Sequence, residues 1–148
     1  MTAGSCPVVY QVLYASRTNP ALPRTVDLDI LHTAWERNTT MALTGFLMRI
    51  GERYFQLLEG PPEAVGEVMA SIRADDRHSD VQVLREGEAD QRRFSKWLMA
   101  YEDASDDNEG RMLQGWPIAE GAAETIVGLM QKHARGRAPS DMLRKPMA

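Results

Sequence analysis

Ala42-Leu43-Thr44-Gly45-Phe46-Leu47-Met48-Arg49-Ile50-Gly51-Glu52-Arg53-Tyr54-Phe55-Gln56-Leu57-Leu58-Glu59-Gly60-Pro61-Pro62 carries the fold in its pattern. Two apolar and aromatic runs, 42–49 and 53–59, flank Ile50-Gly51-Glu52. A short connection with glycine between two such runs predicts a β-hairpin. Gly60-Pro61-Pro62 stops the second strand, and Pro62 and Glu63 suit the first turn of a helix. Downstream, Val65, Val68, Met69 and Ile72 recur at i, i+3, i+4 and i+7, which predicts that helix to about Asp75-Asp76. Upstream, Val26, Ile30, Ala34 and Asn38 form a stripe with Leu31 and Trp35 beside it, a helix with Thr25 as its expected cap.

Residues 8–15 read as a first strand, with Val8, Tyr10, Val12 and Tyr14 on one face. The proline-bearing stretch 16–24 reads as a loop. Val81–Glu86 reads as a fourth strand. Residues 95–101 read as a fifth, with Trp97, Met99 and Tyr101 on one face. An acidic turn is expected over 102–110, a short helix over 111–116, a longer one over 118–134 and a loose tail over 135–148. The order β-α-β-β-α-β-β predicts an α+β, ferredoxin-like sandwich. Two helices should cover one sheet face and the C-terminal helices the other.

At 148 residues the chain is of one-domain size, with 43% apolar and 26% charged residues. The longest apolar stretch, Met41–Met48, is far short of the ~20 residues that span a bilayer, so no membrane span is expected. Lys and Arg number 17 against 21 Asp and Glu, a net charge of −4 that argues against direct nucleic-acid binding. Cys6 is the only cysteine, so no internal disulfide or cysteine zinc site can form. The N-terminus lacks the pattern of a secretory signal, and the cytoplasm is the expected compartment. His32, His78 and His133 have no metal-binding spacing.

Three polar residues stand where apolar ones are expected: Tyr14 at the end of a strand, Asn38 on a helix stripe, Gln56 in mid-strand. Buried amides and phenols need hydrogen-bond partners. The three could satisfy one another or a polar heteroaromatic ligand.

The chain resembles the BLUF domain, the blue-light sensor using flavin. The matching motifs are Leu13-Tyr14-Ala15-Ser16, Asn38 with Leu43-Thr44-Gly45-Phe46-Leu47, Phe55-Gln56-Leu57-Leu58-Glu59-Gly60, Asp75-Asp76-Arg77-His78 and Phe94-Ser95-Lys96-Trp97-Leu98-Met99. Their order and spacing, 24 residues from Tyr14 to Asn38, 42 to Gln56 and 85 to Met99, carry the likeness. The resemblance implies a flavin-binding domain over 1–101, a helical cap over 102–134 and a flexible tail over 135–148. It implies a noncovalent flavin, FAD or FMN, between the first two helices. Ile30 and Ile72 would flank the ring. Gln56 would bond both the ring and Tyr14. Asn38 and Arg37 would lie at the carbonyl edge, and Asp75, Arg77 and His78 around the outer edge and ribityl chain. The photochemical residues would be Tyr14, Gln56, Trp97 and Met99. Light would draw an electron and a proton from Tyr14, and recombination would leave the Gln56 amide rearranged.

The family position of Arg37 is variable, and Ser71 stands where some members carry a basic residue. The resemblance further implies output through a separate protein partner, a homo-oligomer, and no enzyme activity, since no second domain fits after residue 102. An enzyme on the same scaffold is the alternative. An acylphosphatase-like hydrolase would want an anion cradle at Arg17, but Ser16-Arg17-Thr18-Asn19-Pro20 has no glycine. A flavin reductase would need an open path to the ring, which a buried Tyr14–Gln56 pair would close.

Overall fold

The computed structural model describes residues 9–119 and 121–135. Cys6, Val8 and the tail beyond residue 135 lie outside the described residues. The elements are β1 (Val9–Thr18), α1 (Val26–Met41), β2 (Thr44–Ile50), β3 (Arg53–Gly60), α2 (Pro62–Ala74), β4 (His78–Ala89), β5 (Ala100–Asp103), a 3₁₀ helix (Asn108–Leu113) and α3 (Ala123–Ala134). The sheet order is β4-β1-β3-β2-β5. β1 pairs antiparallel with β3 and β4, β2 antiparallel with β3, and β5 parallel with β2. Each crossover skips one strand, as in the ferredoxin-like sandwich expected from the element order. No helix among the described residues is long and apolar enough to cross a membrane.

Strand alternation builds two cores. Val12, Tyr14, Leu47, Tyr54 and Leu58 pack against Leu31, Ala34 and Trp35 of α1 and Val65, Val68 and Ile72 of α2. On the opposite face Leu13, Ala15, Phe46, Met48, Phe55 and Leu57 pack against Ile126, Val127, Leu129 and Met130 of α3. The hairpin turns at Gly51, whose φ of 59° is the left-handed conformation that glycine adopts without penalty. Gly45 answers a second constraint. A Cβ there would sit 2.0 Å from the Leu57 carbonyl oxygen.

Four local expectations are corrected. Thr25 gives no side-chain cap; its φ and ψ of −62° and −11° are already helical, so its side chain cannot reach back as a cap does. The first strand runs to Thr18, so Arg17 belongs to β1 and not to a loop; it pairs with Asp80. The short helix lies at 108–113 and is 3₁₀, and α3 begins at Ala123 rather than at Ile118.

The fourth concerns the fifth strand, which covers only Ala100–Asp103. The residues before it are tied elsewhere. The Glu59 carboxylate accepts the backbone N–H groups of Arg93 and Phe94, each at 2.7 Å. The carbonyls of Leu98 and Met99 accept from Asn38 Nδ2 (2.6 Å) and Trp35 Nε1 (2.9 Å) of α1. With four of its backbone groups taken by side chains and the Trp97 N–H by the Phe94 carbonyl, 93–99 does not join the ladder. Trp97 and Met99 therefore do not share a sheet face: Trp97 packs in the core under α3, Met99 in the core under α1 and α2.

A buried charge cluster locks α1 to three strands. Asp27, at the start of α1, accepts from Arg49 Nη1 of β2 (2.8 Å) and from the hydroxyls of Tyr54 (β3) and Tyr101 (β5). Arg49 is 5% exposed and Asp27 3%. Removing one partner of a buried pair strands the other charge, at a cost of about 3–5 kcal/mol. Asp27→Ala should lose about that much stability in urea unfolding. The isosteric Asp27→Asn, which keeps hydrogen-bond capacity, should lose less.

Candidate functional site

One lateral row of side chains crosses the sheet on its α1/α2 face. The registers place Val83, Tyr14, Gln56, Leu47 and Tyr101 side by side, one from each strand. Tyr14 and Gln56 are direct cross-strand neighbours, where side chains on one face meet. Irregular pairing of β4 with β1 on either side of Tyr14 and Ala15 marks bulges at this point, common beside functional sites.

Tyr14 is 3% exposed and Gln56 2%. The Tyr14 hydroxyl donates to Gln56 Oε1. Gln56 Nε2 donates to Met99 Sδ at 3.5 Å. A thioether is a weak acceptor, so one end of this amide is firmly held and the other loosely. Burial pushes the Tyr14 phenol well above its ordinary pKa, which keeps it protonated.

A cleft of about 380 Å³, its open mouth included, lies between α1 and α2 above this row. Tyr14, Ile30, Arg37, Gln56, Ile72, Asp75, Arg77 and His78 all line it, with Thr33, Ala34, Leu47 and Tyr54. Asn38 is fully buried beside it and does not line it; Trp97 lies on the other side of the sheet. Ser71 is exposed and outside the lining. Arg77 forms a tight pair with Asp75 (Nη2 to Oδ2 2.6 Å) and reaches Thr33 Oγ1 on α1 at 3.4 Å, spanning the cleft. Burial alone would raise the Asp75 carboxyl, but the hydrogen bonds from Arg77 outweigh it and hold it below its ordinary value.

Two polar atoms beside the cleft lack partners. Arg37 Nε and Asn38 Oδ1 are buried with no hydrogen-bond partner. Burial lowers the Arg37 pKa, and the side chain makes no ion pair among the described residues. Such groups are costly unless something pairs with them. One is a donor and the other an acceptor. Together with Gln56 and the apolar side chains of Ile30 and Ile72, they suit a flat ring whose polar edge offers both carbonyls and an N–H.

Tyr54 and the Asp27–Arg49 pair escape the pattern reading. Asp27 in a first helical turn looks like a favourable dipole contact, and Arg49 like a strand-end charge. The available signal was an arginine inside an otherwise apolar run.

His78 shows its tautomer through its partners. Nε2 faces the Ile72 carbonyl at 3.0 Å and must donate, so Nδ1 accepts from Ser16 Oγ at 2.7 Å. Burial lowers its pKa below that of a free histidine. The unfolded chain then binds a proton that the folded chain refuses, so stability falls as pH drops below ~6.5. Urea midpoints measured between pH 7.5 and 5.5 should show this loss, and His78→Gln should flatten the slope in that window.

Residues 9–100 match the family model described as BLUF, sensors of blue-light using FAD. The chain is 34% identical over 88 residues to photoactivated adenylate cyclase subunit beta of Euglena gracilis, a match spanning 58% of this chain and 10% of that protein. It is 38% identical over 68 residues to the blue light- and temperature-regulated antirepressor BluF of Escherichia coli K12, covering 46% of this chain and 17% of that one. Among solved structures, the ground state of BlsA superposes with a TM-score of 0.75 at 23% identity, covering 93% of this chain and 95% of that one, a likeness of fold. The BLUF domain of BlrP1 gives 0.63 at 30% identity, covering 86% and 79%. The chain belongs to the BLUF family of blue-light sensors, whose cofactor is a flavin.

Proposed function

We propose that this chain holds FAD, or FMN in its place, noncovalently in the α1/α2 cleft and reports blue light through Tyr14, Gln56 and Met99. The carrying observation is the buried Tyr14–Gln56 hydrogen bond at the floor of a cleft flanked by two unpartnered polar groups. Ile30 and Ile72 would take the two ring faces. Arg37 and Asn38 would meet the carbonyl and N–H edge. Asp75, Arg77 and His78 would border the outer edge and the ribityl chain.

Blue light turns a bound flavin into a strong one-electron oxidant. Tyr14, held protonated by burial, would give up an electron to it and then a proton. Its hydrogen bond to Gln56 fixes the direction in which the proton leaves. When both return, the Gln56 amide is left in a new orientation or tautomer. The loose N–H···S contact to Met99 is the bond most easily exchanged in that rearrangement. One rearranged hydrogen bond is worth about 0.5–1.5 kcal/mol net. That biases a two-state equilibrium by up to about tenfold. The output is thus a shift in populations rather than a refolding.

Residues 1–101 act in this reading as the sensor, 102–134 as a cap over the second sheet face and 135–148 as a tail. Output passes to a separate protein or through self-association. The cytoplasm is the proposed compartment on composition alone. The aligned segment is a small part of each curated relative, so the cyclase and antirepressor activities in their names do not extend to this chain.

Purified protein should be yellow, shift slightly to longer wavelength after a blue flash, and recover fully in the dark. Tyr14→Phe and Gln56→Leu should each abolish the shift with flavin still bound. A colourless protein after reconstitution with FAD, or bleaching without a red shift, overturns the reading.

A further inference from the structure

The α1/α2 cleft is not the only opening in the fold. On the opposite side of the sheet a second cleft, about 510 Å³ with its open mouth, lies between residues 93–97 and the C-terminal end of α3. Phe94 and Trp97 contribute its apolar wall, and Arg93, Lys96 and Arg135 surround it, with Gln131 between. All three cations are exposed, and none makes a salt bridge among the described residues. Most other cations of the fold are paired: Arg17, Arg24, Arg49, Arg77, Arg85 and Lys132 each hold a carboxylate. In a chain of net charge −4 this is a local reversal of sign.

A second observation is independent of charge. Trp97 is 6% exposed, and its indole N–H is buried without an acceptor. Buried donors are almost always satisfied, so an orphan asks for one. Three cations without a salt bridge, of which Arg93 feels only the more distant Glu124, an aromatic wall and an unpaired N–H donor share one chemical demand: a segment that brings carboxylates together with backbone carbonyls. The chain's own residues beyond Arg135 do not meet it, since Arg137, Arg144 and Lys145 outnumber Asp141.

We propose that this cleft is a docking site for an acidic peptide segment of a partner protein, with Arg93, Lys96 and Arg135 taking its carboxylates and Trp97 donating to one of its acceptors. The site is built into the light path. Trp97 lies two residues before Met99, whose sulfur meets the Gln56 amide, and the Leu98 carbonyl between them is held by Asn38. A rearranged amide at Gln56 pulls on the segment that forms this wall. The docking site stands on its own observations; only its light dependence rests on the proposed photochemistry.

The test uses the flavin-loaded full chain in the dark at low salt, titrated with hexaglutamate by calorimetry, with hexalysine as control. Saturable binding of hexaglutamate alone is expected, weakened about threefold by each of Arg93→Ala, Lys96→Ala and Arg135→Ala, and screened away by added salt. In ¹⁵N-labelled protein the indole resonance of Trp97, assigned by its loss in Trp97→Phe, should move on binding while those of Trp35 and Trp116 stay. Under continuous blue light the affinity should change by up to about tenfold. No saturable binding, or binding indifferent to the three variants, overturns the site. So does a low-salt dimer that Arg93→Glu dissociates, since the occupant is then a second copy. The same sample's red shift separates the two failures: a sample that shifts but does not bind loses the docking site and keeps the sensor. One that binds equally in dark and light although it shifts keeps the site and loses its coupling.

Discussion

The structure turns on a single buried amide. Gln56 sits in the middle strand of the sheet with almost no exposure. Its oxygen is taken by Tyr14 on one side and its nitrogen meets the Met99 sulfur on the other. A primary amide has two chemically different ends, so its orientation is a two-valued quantity. Here the two ends are held unequally, by a phenol and by a thioether. The sheet fixes the position of the side chain, while the hydrogen bonds fix only its direction. Position and direction of this amide are thus set by different interactions.

The reach of a change in that direction depends on what Met99 is attached to. The carbonyls of Leu98 and Met99 are bound by Asn38 and Trp35 of α1, so the approach to β5 is suspended from a helix rather than laddered into the sheet. Beyond it, Tyr101 returns to the Asp27–Arg49 cluster at the start of the same helix. The segment 98–101 is therefore tied to α1 near both ends of that helix, which also forms one wall of the cleft. Gln56 meets this short segment at Met99, and the segment's opposite surface faces α3. One hydrogen bond, worth about 0.5–1.5 kcal/mol net, is too small to unpack either core.

Much of this was legible in the chain. Period-two alternation put Tyr14 on one face with Tyr10 and Val12, Gln56 stood out as a polar residue in mid-strand, and period-3.6 stripes put Ile30 and Ile72 on the apolar sides of their helices. Those inferences depend only on local geometry, which a sequence carries. The fifth strand was misread for the opposite reason. The run from Trp97 to Tyr101 alternates like a strand, but the carbonyls of Leu98 and Met99 are claimed by Asn38 and Trp35, and the N–H groups of Arg93 and Phe94 just before it by Glu59, residues 34 to 64 positions away. Thr25 looked like a helix cap until its own backbone proved helical.

The sequence by itself determined the order of elements and the inward faces, because side-chain period and turn residues are properties of neighbours; roles for Tyr14, Asn38 and Gln56 came from the family resemblance. Only the tertiary structure decided that Met99 lies with Gln56 while Trp97 lies beneath α3, that Asp27 answers Arg49, Tyr54 and Tyr101 at once, and that Arg37 and Asn38 keep unpartnered atoms beside the cleft. These depend on which distant groups satisfy one another once water is excluded, and that competition has no local signature.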